Sequence, residues 1–119
     1  MRHTLGQDRA AFALKHLETI DCDRDKFKKL CAGLPSMIMQ NGFGQALAFL
    51  AAKGKKEHLA ASTIMLQWLT EKRLLAQAPP RQQLMQINTM DQGQYLLAQR
   101  ETLAMLEWLK RYAHAALFE

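Results

Sequence analysis

Residues 27–54 read FKKLCAGLPSMIMQNGFGQALAFLAAKG, and this stretch decides the fold class. Its first half carries apolar side chains three or four residues apart: Phe27, Leu30, Cys31, Leu34, Met37 and Ile38. This spacing places them on one face of an α-helix. Pro35 lies within the stripe. Because proline removes a backbone hydrogen bond, we expect a kink near Gly33 or a break in the helix there.

The pair Asn41-Gly42 ends this predicted helix, and Gly42 suits a left-handed cap. Apolar residues then recur at helical spacing: Phe43, Ala46, Leu47, Leu50 and Ala51. They predict a short helix that Gly54 closes.

The sequence before and after this stretch is helical as well. The pattern Thr4-x-x-Gln7 has the form of a capping box and predicts a first helix over residues 5–21. A fourth helix is predicted over residues 56–77, where Ala78-Pro79-Pro80 stops it.

The C-terminal third predicts a brief helical stretch at residues 82–87 and then the longest helix. A second capping box, Thr89-x-x-Gln92, is expected to begin that last helix. One side of it carries apolar residues at helical spacing: Leu96, Leu103, Leu106, Ala113 and Leu117. We therefore predict five or six helices, with a long helix at the C-terminus.

The composition agrees with an all-α bundle. The 119 residues include no valine and only four isoleucines, so strand-forming residues are scarce. A chain of this length fits one domain, and we predict a compact single-domain bundle over residues 1–119. The sequence lacks an apolar run long enough to span a membrane, and residues 1–4 do not resemble a signal peptide. With Cys22 and Cys31 as the only cysteines, we expect a reducing, cytoplasmic location.

The positive charge is concentrated in one quarter of the chain. The net charge is +5, and residues 53–81 account for +4 of it, since they carry six basic side chains against Glu57 and Glu71. These six are candidates for contact with an RNA backbone: Lys53, Lys55, Lys56, Lys72, Arg73 and Arg81. Several of them fall near predicted helix C-termini, where the helix dipole favours cations in any protein.

Residues with catalytic potential do not form a recognisable pattern. The four histidines are scattered, and none has a second ligand-type residue at metal-binding spacing. Neither a glycine-rich phosphate loop nor a nucleophile elbow occurs. We therefore predict a protein that binds and is not an enzyme, without catalytic residues, metal or cofactor.

Two segments resemble one known family. Residues 34–50, LPSMIMQNGFGQALAFL, and residues 108–113, WLKRYA, are similar to segments of the small helical fifth subunit of the Cmr complex, the type III-B CRISPR RNA-guided effector. Residues 95–101 also look similar. Family members typically have leucine where this chain has Phe43. Five residues within these segments are expected to determine the fold: Pro35, Asn41, Gly42, Phe43 and Trp108.

The resemblance implies a non-catalytic structural subunit that takes part in antiviral defence. In such complexes, copies of the small subunit stack in a filament beside the repeating backbone subunits that hold the guide. The implied partners are other Cmr subunits, copies of the chain itself, and guide and target RNA, with no membrane. Contacts to phosphates position an RNA without reading its sequence, which suits a complex that recognises its target by base pairing.

Two other interpretations remain open. The small helical subunit of the type III-A complex has a similar size and role. A helical adaptor that binds only protein would need none of the RNA contacts that the basic residues suggest.

Overall fold

Thr4 begins the first helix as the sequence predicts. In the computed structural model, which describes residues 3–115, the Thr4 hydroxyl accepts a hydrogen bond from the Gln7 N–H at 3.0 Å, and the Gln7 side chain accepts one from the Thr4 N–H at 2.8 Å. Within this range the chain forms helices and no strand. The helices are α1 (Leu5–Glu18), α2 (Arg24–Asn41), α3 (Phe43–Lys53), α4 (Lys56–Glu71), α5 (Pro80–Asn88) and α6 (Gln92–Ala113).

The core lies where α6 packs against α1 and α2 while α4 covers α2 and α3. Its largest fully buried side chains include Trp68, Phe27 and Phe43. The radius of gyration is 13.6 Å, close to the roughly 13 Å expected for a compact chain of this length. The predicted all-α bundle with a long C-terminal helix is therefore confirmed. None of the described helices is long and apolar enough to cross a membrane.

The second helix continues through Pro35, so the alternative of a break at this point is wrong. Leu34 and Ile38 are fully buried on either side of the proline, and their packing offsets the lost backbone hydrogen bond. Gly42 ends α2 with a φ of +90°, but its ψ of 158° is extended and not the left-handed helical value predicted. The reason is that α3 begins at the next residue, so Gly42 serves as the last cap of one helix and the first cap of the other.

Two helices end earlier than the sequence predicts. The first helix stops at Glu18, where the backbone hydrogen bonds tighten and join residues only three apart, including one from the Thr19 N–H to the His16 carbonyl. The fourth stops at Glu71, not at residue 77, because the chain takes a left-handed conformation at Arg73.

The last helix is capped by Asp91 and not by Thr89. The Thr89 hydroxyl donates instead to carbonyls of the preceding α5, while the Asp91 carboxylate accepts from the Gln94 N–H at 2.8 Å and caps α6. Of the apolar side predicted for this helix, Leu106 and Ala113 are buried, whereas Leu96 is half exposed. Leu117 lies outside the described residues.

Candidate nucleic-acid interface

Three lysines surround the turn between α3 and α4. Lys53 is the last residue of α3, Lys55 is the N-cap of α4 and Lys56 is its first helical residue. Gly54 between them has a φ of +64°, the left-handed conformation in which glycine commonly ends a helix. All three lysines are exposed, and none forms an ion pair with another residue in the range 3–115. We call these three side chains the lysine turn.

Lys72 is held differently, at the opposite end of α4. Its Nζ lies 3.8 Å from an Asp8 carboxylate oxygen and 4.9 Å from the centre of the Trp68 ring. Only 28% of the side chain is exposed. Lys72 therefore already has an anionic and an aromatic neighbour, and it is less available to a phosphate than the lysine turn.

Arg73 occupies a position that usually belongs to glycine. Its φ is +62°, and within the described part of the chain no other non-glycine residue has a positive φ. The Arg73 N–H bonds to the Thr70 carbonyl at 3.0 Å, and the Leu74 N–H bonds to the Leu69 carbonyl at 2.9 Å. These two bonds define a Schellman motif, in which a left-handed residue closes the helix. The guanidinium projects from a strained backbone position and is exposed.

The basic residues of the sequence do not all come together. The lysine turn and the Lys72–Arg73 pair lie at opposite ends of the sixteen-residue α4, which are about 24 Å apart by helix geometry. Arg81 is exposed in the first turn of α5, which packs against α3 and α4. The candidate interface therefore consists of separate basic groups, of which the lysine turn is the densest.

Phe49 on α3 was not identified from the sequence, although it lies beside the lysine turn. The Lys53 Nζ is 5.8 Å from the centre of its ring, and the His58 ring centre is 5.9 Å from it. The residue is 38% exposed. Phe49 falls outside the apolar stripe of its helix, so helical spacing alone would have indicated its exposure.

The start of α3 is capped by side chains from α6. The Gly44 N–H donates to the Tyr95 hydroxyl oxygen at 2.8 Å, and the Phe43 N–H donates to the Gln99 side-chain oxygen at 3.1 Å. Gly42 offers no side chain for this purpose, so two of the free N–H groups at the start of the helix find partners on another helix. The Phe43 and Tyr95 rings also meet edge to face at 5.9 Å.

The residues expected to determine the fold differ in burial. Phe43 is fully buried, whereas Trp108 is only partly buried and stacks on Tyr112 with 5.9 Å between ring centres. Asn41 is exposed as the last residue of α2. These contacts give the positions of the residues, and the fold-determining role expected for all five stays a prediction.

A partly buried ion pair joins α1 to α6, and Trp68 of α4 also bonds to it. Arg9 donates two hydrogen bonds to the Glu101 carboxylate, at 3.0 and 2.7 Å, and the Trp68 indole N–H donates to the same carboxylate at 3.2 Å. The hydrogen bonds from Arg9 lower the pKa of Glu101 from its ordinary value, although burial acts in the opposite direction. This network connects α1, α4 and α6 and is structural in character.

The remaining reactive groups do not converge. Burial raises the pKa of the Cys31 thiol to about 12 and also raises the pKa of the partly buried Cys22, so both thiols are held in their protonated form at neutral pH. His58 Nδ1 lies 3.5 Å from a Glu57 carboxylate oxygen and makes no hydrogen bond within the described part of the chain. Among residues 3–115, no group of three or more histidine, cysteine or carboxylate side chains is arranged to hold a metal ion.

Comparison with known proteins identifies the family. Residues 5–116 match the family described as CRISPR-associated protein (Cas_Cmr5). A CRISPR system Cmr subunit Cmr5 from Thermus thermophilus is 36% identical over 98 residues, which cover 81% of this chain and 79% of that protein. Its namesake from Thermotoga maritima is 32% identical over 115 residues, covering 96% of this chain and 85% of that one.

A solved structure extends the likeness to the fold. The crystal structure of a CRISPR-associated Cmr5 family protein from Thermus thermophilus has a TM-score of 0.80 and 31% sequence identity to this chain. The match covers 99% of this chain and 100% of the other, so the likeness includes the whole bundle.

Proposed function

This chain belongs to the CRISPR-associated Cmr5 family and is a subunit of the Cmr complex, and we propose that it acts there as a non-catalytic structural subunit in the cytoplasm. Its 119 residues work as one helical domain. Copies of the subunit stack in a filament beside the repeating backbone subunits of the type III-B effector. The filament helps to hold the duplex of guide RNA and target RNA.

The lysine turn is the observation that carries the proposed RNA contact. Lys53, Lys55 and Lys56 lie within four residues of sequence, are exposed, and have no anionic partner among residues 3–115. An RNA backbone carries one negative charge per nucleotide, so three adjacent uncompensated cations attract it whatever its sequence. Arg73 and Arg81 add exposed cations elsewhere on the surface, while Lys72 makes a weaker contribution because Asp8 partly neutralises it.

Exposed apolar side chains support the proposed stacking. Met39 is 70% exposed, and Leu59, Met85, Leu96 and Leu97 are also exposed, so these five side chains lie on four helices. Methionine and leucine on a surface are suited to protein contacts, because burying them against a neighbour removes apolar area from water. Their spread over several helices fits a subunit with a neighbour on more than one side.

The RNA contact is tested in the assembled complex. The variant Lys53→Gln/Lys55→Gln/Lys56→Gln is compared with Lys26→Gln/Arg100→Gln/Arg111→Gln, which removes the same charge from exposed positions on other helices. Target RNA retention is measured by filter binding at low salt, where phosphate contacts are strongest. The proposal expects weaker retention only for the lysine-turn variant. Equal retention by both variants would contradict it.

The protein-only adaptor is distinguished by the same experiment. An adaptor without RNA contact assembles normally with either variant and retains target RNA equally well. Size-exclusion chromatography of both assembled complexes checks that each variant is incorporated at the wild-type ratio, so that a change in RNA retention reports on RNA contact.

A further inference from the structure

We propose that Phe49 and the lysine turn form a site for an unpaired RNA nucleotide, whose base stacks on the Phe49 ring while the lysines bind the adjoining phosphates. This inference rests on the proposed RNA contact and adds to it the kind of RNA that is bound. It assigns a ligand to Phe49, an exposed aromatic ring on α3 that lies outside the buried face of that helix.

The surroundings of Phe49 distinguish it from an ordinary exposed apolar residue. Single apolar side chains on a surface are common and need no explanation. Here, however, the Lys53 ammonium lies over one face of the ring, 5.8 Å from its centre, and Lys55 and Lys56 follow across a single glycine. An exposed aromatic ring bordered by cations is the combination that single-stranded nucleic acids bind, since every base has a face that stacks and every nucleotide a phosphate.

His58 packs beside the Phe49 ring. The two ring centres are 5.9 Å apart and the ring planes are tilted by 59°. His58 is the third residue of α4 and lies one turn after the N-cap, Lys55, so the two share a side of the helix.

The neighbouring carboxylate does not cancel the positive surface. The Glu57 side chain is only 12% exposed and points toward His58 Nδ1, 3.5 Å away. It also lies near Cys22, in the connection between α1 and α2. The carboxylate is thus turned toward the protein, while the three lysine ammonium groups face solvent.

A ring exposed at the protein surface can stack on an unpaired base but not on a base within a duplex. Bases within a duplex are covered on both faces by their neighbours, so a ring at a protein surface stacks only on a base that has left the helix or was never paired. Phosphate contacts by lysine alone make no such distinction. The site therefore adds a preference for single-stranded RNA to the charge attraction.

Fluorescence anisotropy of the full-length chain tests the inference. The probes are a short labelled single-stranded RNA, the same strand with abasic residues, and a duplex of equal length. Phe49→Leu removes the aromatic face but keeps an apolar side chain, and Phe49→Trp enlarges the face. Leu97→Ala shortens a comparably exposed apolar side chain on α6 and serves as the matched control, while Lys53→Gln/Lys55→Gln/Lys56→Gln removes the phosphate contacts.

The expected pattern separates stacking from charge. Phe49→Leu weakens binding of the intact single strand about fivefold or more, leaves the abasic strand and the duplex unchanged, and keeps the same dependence on salt. Phe49→Trp binds the intact strand at least as tightly as wild type, and Leu97→Ala behaves as wild type. The lysine variant weakens binding of all three probes.

Two results would overturn the inference. If Phe49→Leu binds the intact and abasic strands with unchanged or equally reduced affinity, the ring is not a stacking surface and fits a protein contact instead. The proposed function survives that result as long as the lysine variant still weakens binding. If the lysine variant also binds every probe as wild type does, both the proposed RNA contact and this inference fail.

Discussion

The Tyr95 hydroxyl oxygen accepts a hydrogen bond of 2.8 Å from the backbone N–H of Gly44, so a side chain of α6 caps the start of α3. Because Gly42 offers no side chain there, this contact and that of Gln99 replace the usual N-cap residue. The segment that carries the family resemblance is thus held in place by a helix more than fifty residues later in the chain.

Removing the Tyr95 hydroxyl tests this contact. Tyr95→Phe leaves the Gly44 N–H without its acceptor, and we expect the free energy of unfolding to fall by about 1 kcal/mol. Urea denaturation followed by circular dichroism measures it. Tyr112→Phe is the matched control, because it removes a hydroxyl from the same helix and keeps the ring stacked on Trp108. Equal losses for the two variants would show that the cap contributes little.

A methyl group at position 44 tests the same contact from the other side. A Cβ on Gly44 would lie 3.2 Å from the Tyr95 hydroxyl oxygen, so Gly44→Ala should destabilise the wild-type chain and cost less in the Tyr95→Phe background. Gly33→Ala is the control. Among residues 3–115, a Cβ there meets no atom within 4 Å apart from its chain neighbours and the adjacent backbone of its own helix, and alanine should stabilise α2 by up to about 1 kcal/mol. Additive effects of the changes at positions 44 and 95 would contradict the geometry.

The ion pair of Arg9 and Glu101 should make stability depend on acid pH. Since the pKa of Glu101 is lowered in the folded protein, its contribution is fully present above the ordinary value of 4.5 and is lost as pH falls through the lower folded value. Glu101→Gln should cost about 2 kcal/mol at pH 7 and flatten the decline of stability below pH 4.5. Urea midpoints measured between pH 3 and pH 7 check this. An acid decline as steep as that of the wild type would count against the assignment.

Replacing Arg73 by glycine tests whether the left-handed backbone at this position is strained. Arginine in the left-handed conformation is strained, so Arg73→Gly should raise the free energy of unfolding by about 0.5–1 kcal/mol while removing an exposed cation. Arg81→Gly is the control, since the same change within the first turn of α5 should destabilise the helix. The two urea midpoints should therefore shift in opposite directions. A lower midpoint for Arg73→Gly would show that the arginine side chain itself stabilises the turn.

The helices were predictable from sequence because their apolar residues repeat at a regular spacing, as in residues 27–38. The helix boundaries were less predictable, because they depend on which of several suitable side chains caps the helix. Thr89 and Asp91 are both good caps, but Thr89 bonds back to α5 and leaves α6 to Asp91. The sequence did not indicate the left-handed turn at Arg73, since arginine rarely adopts that conformation.

The candidate interface was predictable only in part. The charge excess of residues 53–81 identified the lysines, but it could not show that α4 separates them from Lys72 and Arg73. The network of Arg9 and Glu101 joins residues 92 positions apart, and no local pattern indicates such a pair. Long-range polar contacts of this kind depend on how the helices pack, which spacing along one helix does not determine.

The salt dependence of target RNA binding by the assembled Cmr complex tests the central claim most directly. If the lysine turn contacts three phosphates, replacing all three lysines with glutamine should reduce the slope of log Kd against log salt concentration by about 2, at roughly 0.7 per single-strand contact. The charge-matched variant of Lys26, Arg100 and Arg111 should keep the wild-type slope. Identical slopes for wild type and the lysine-turn variant would contradict the account.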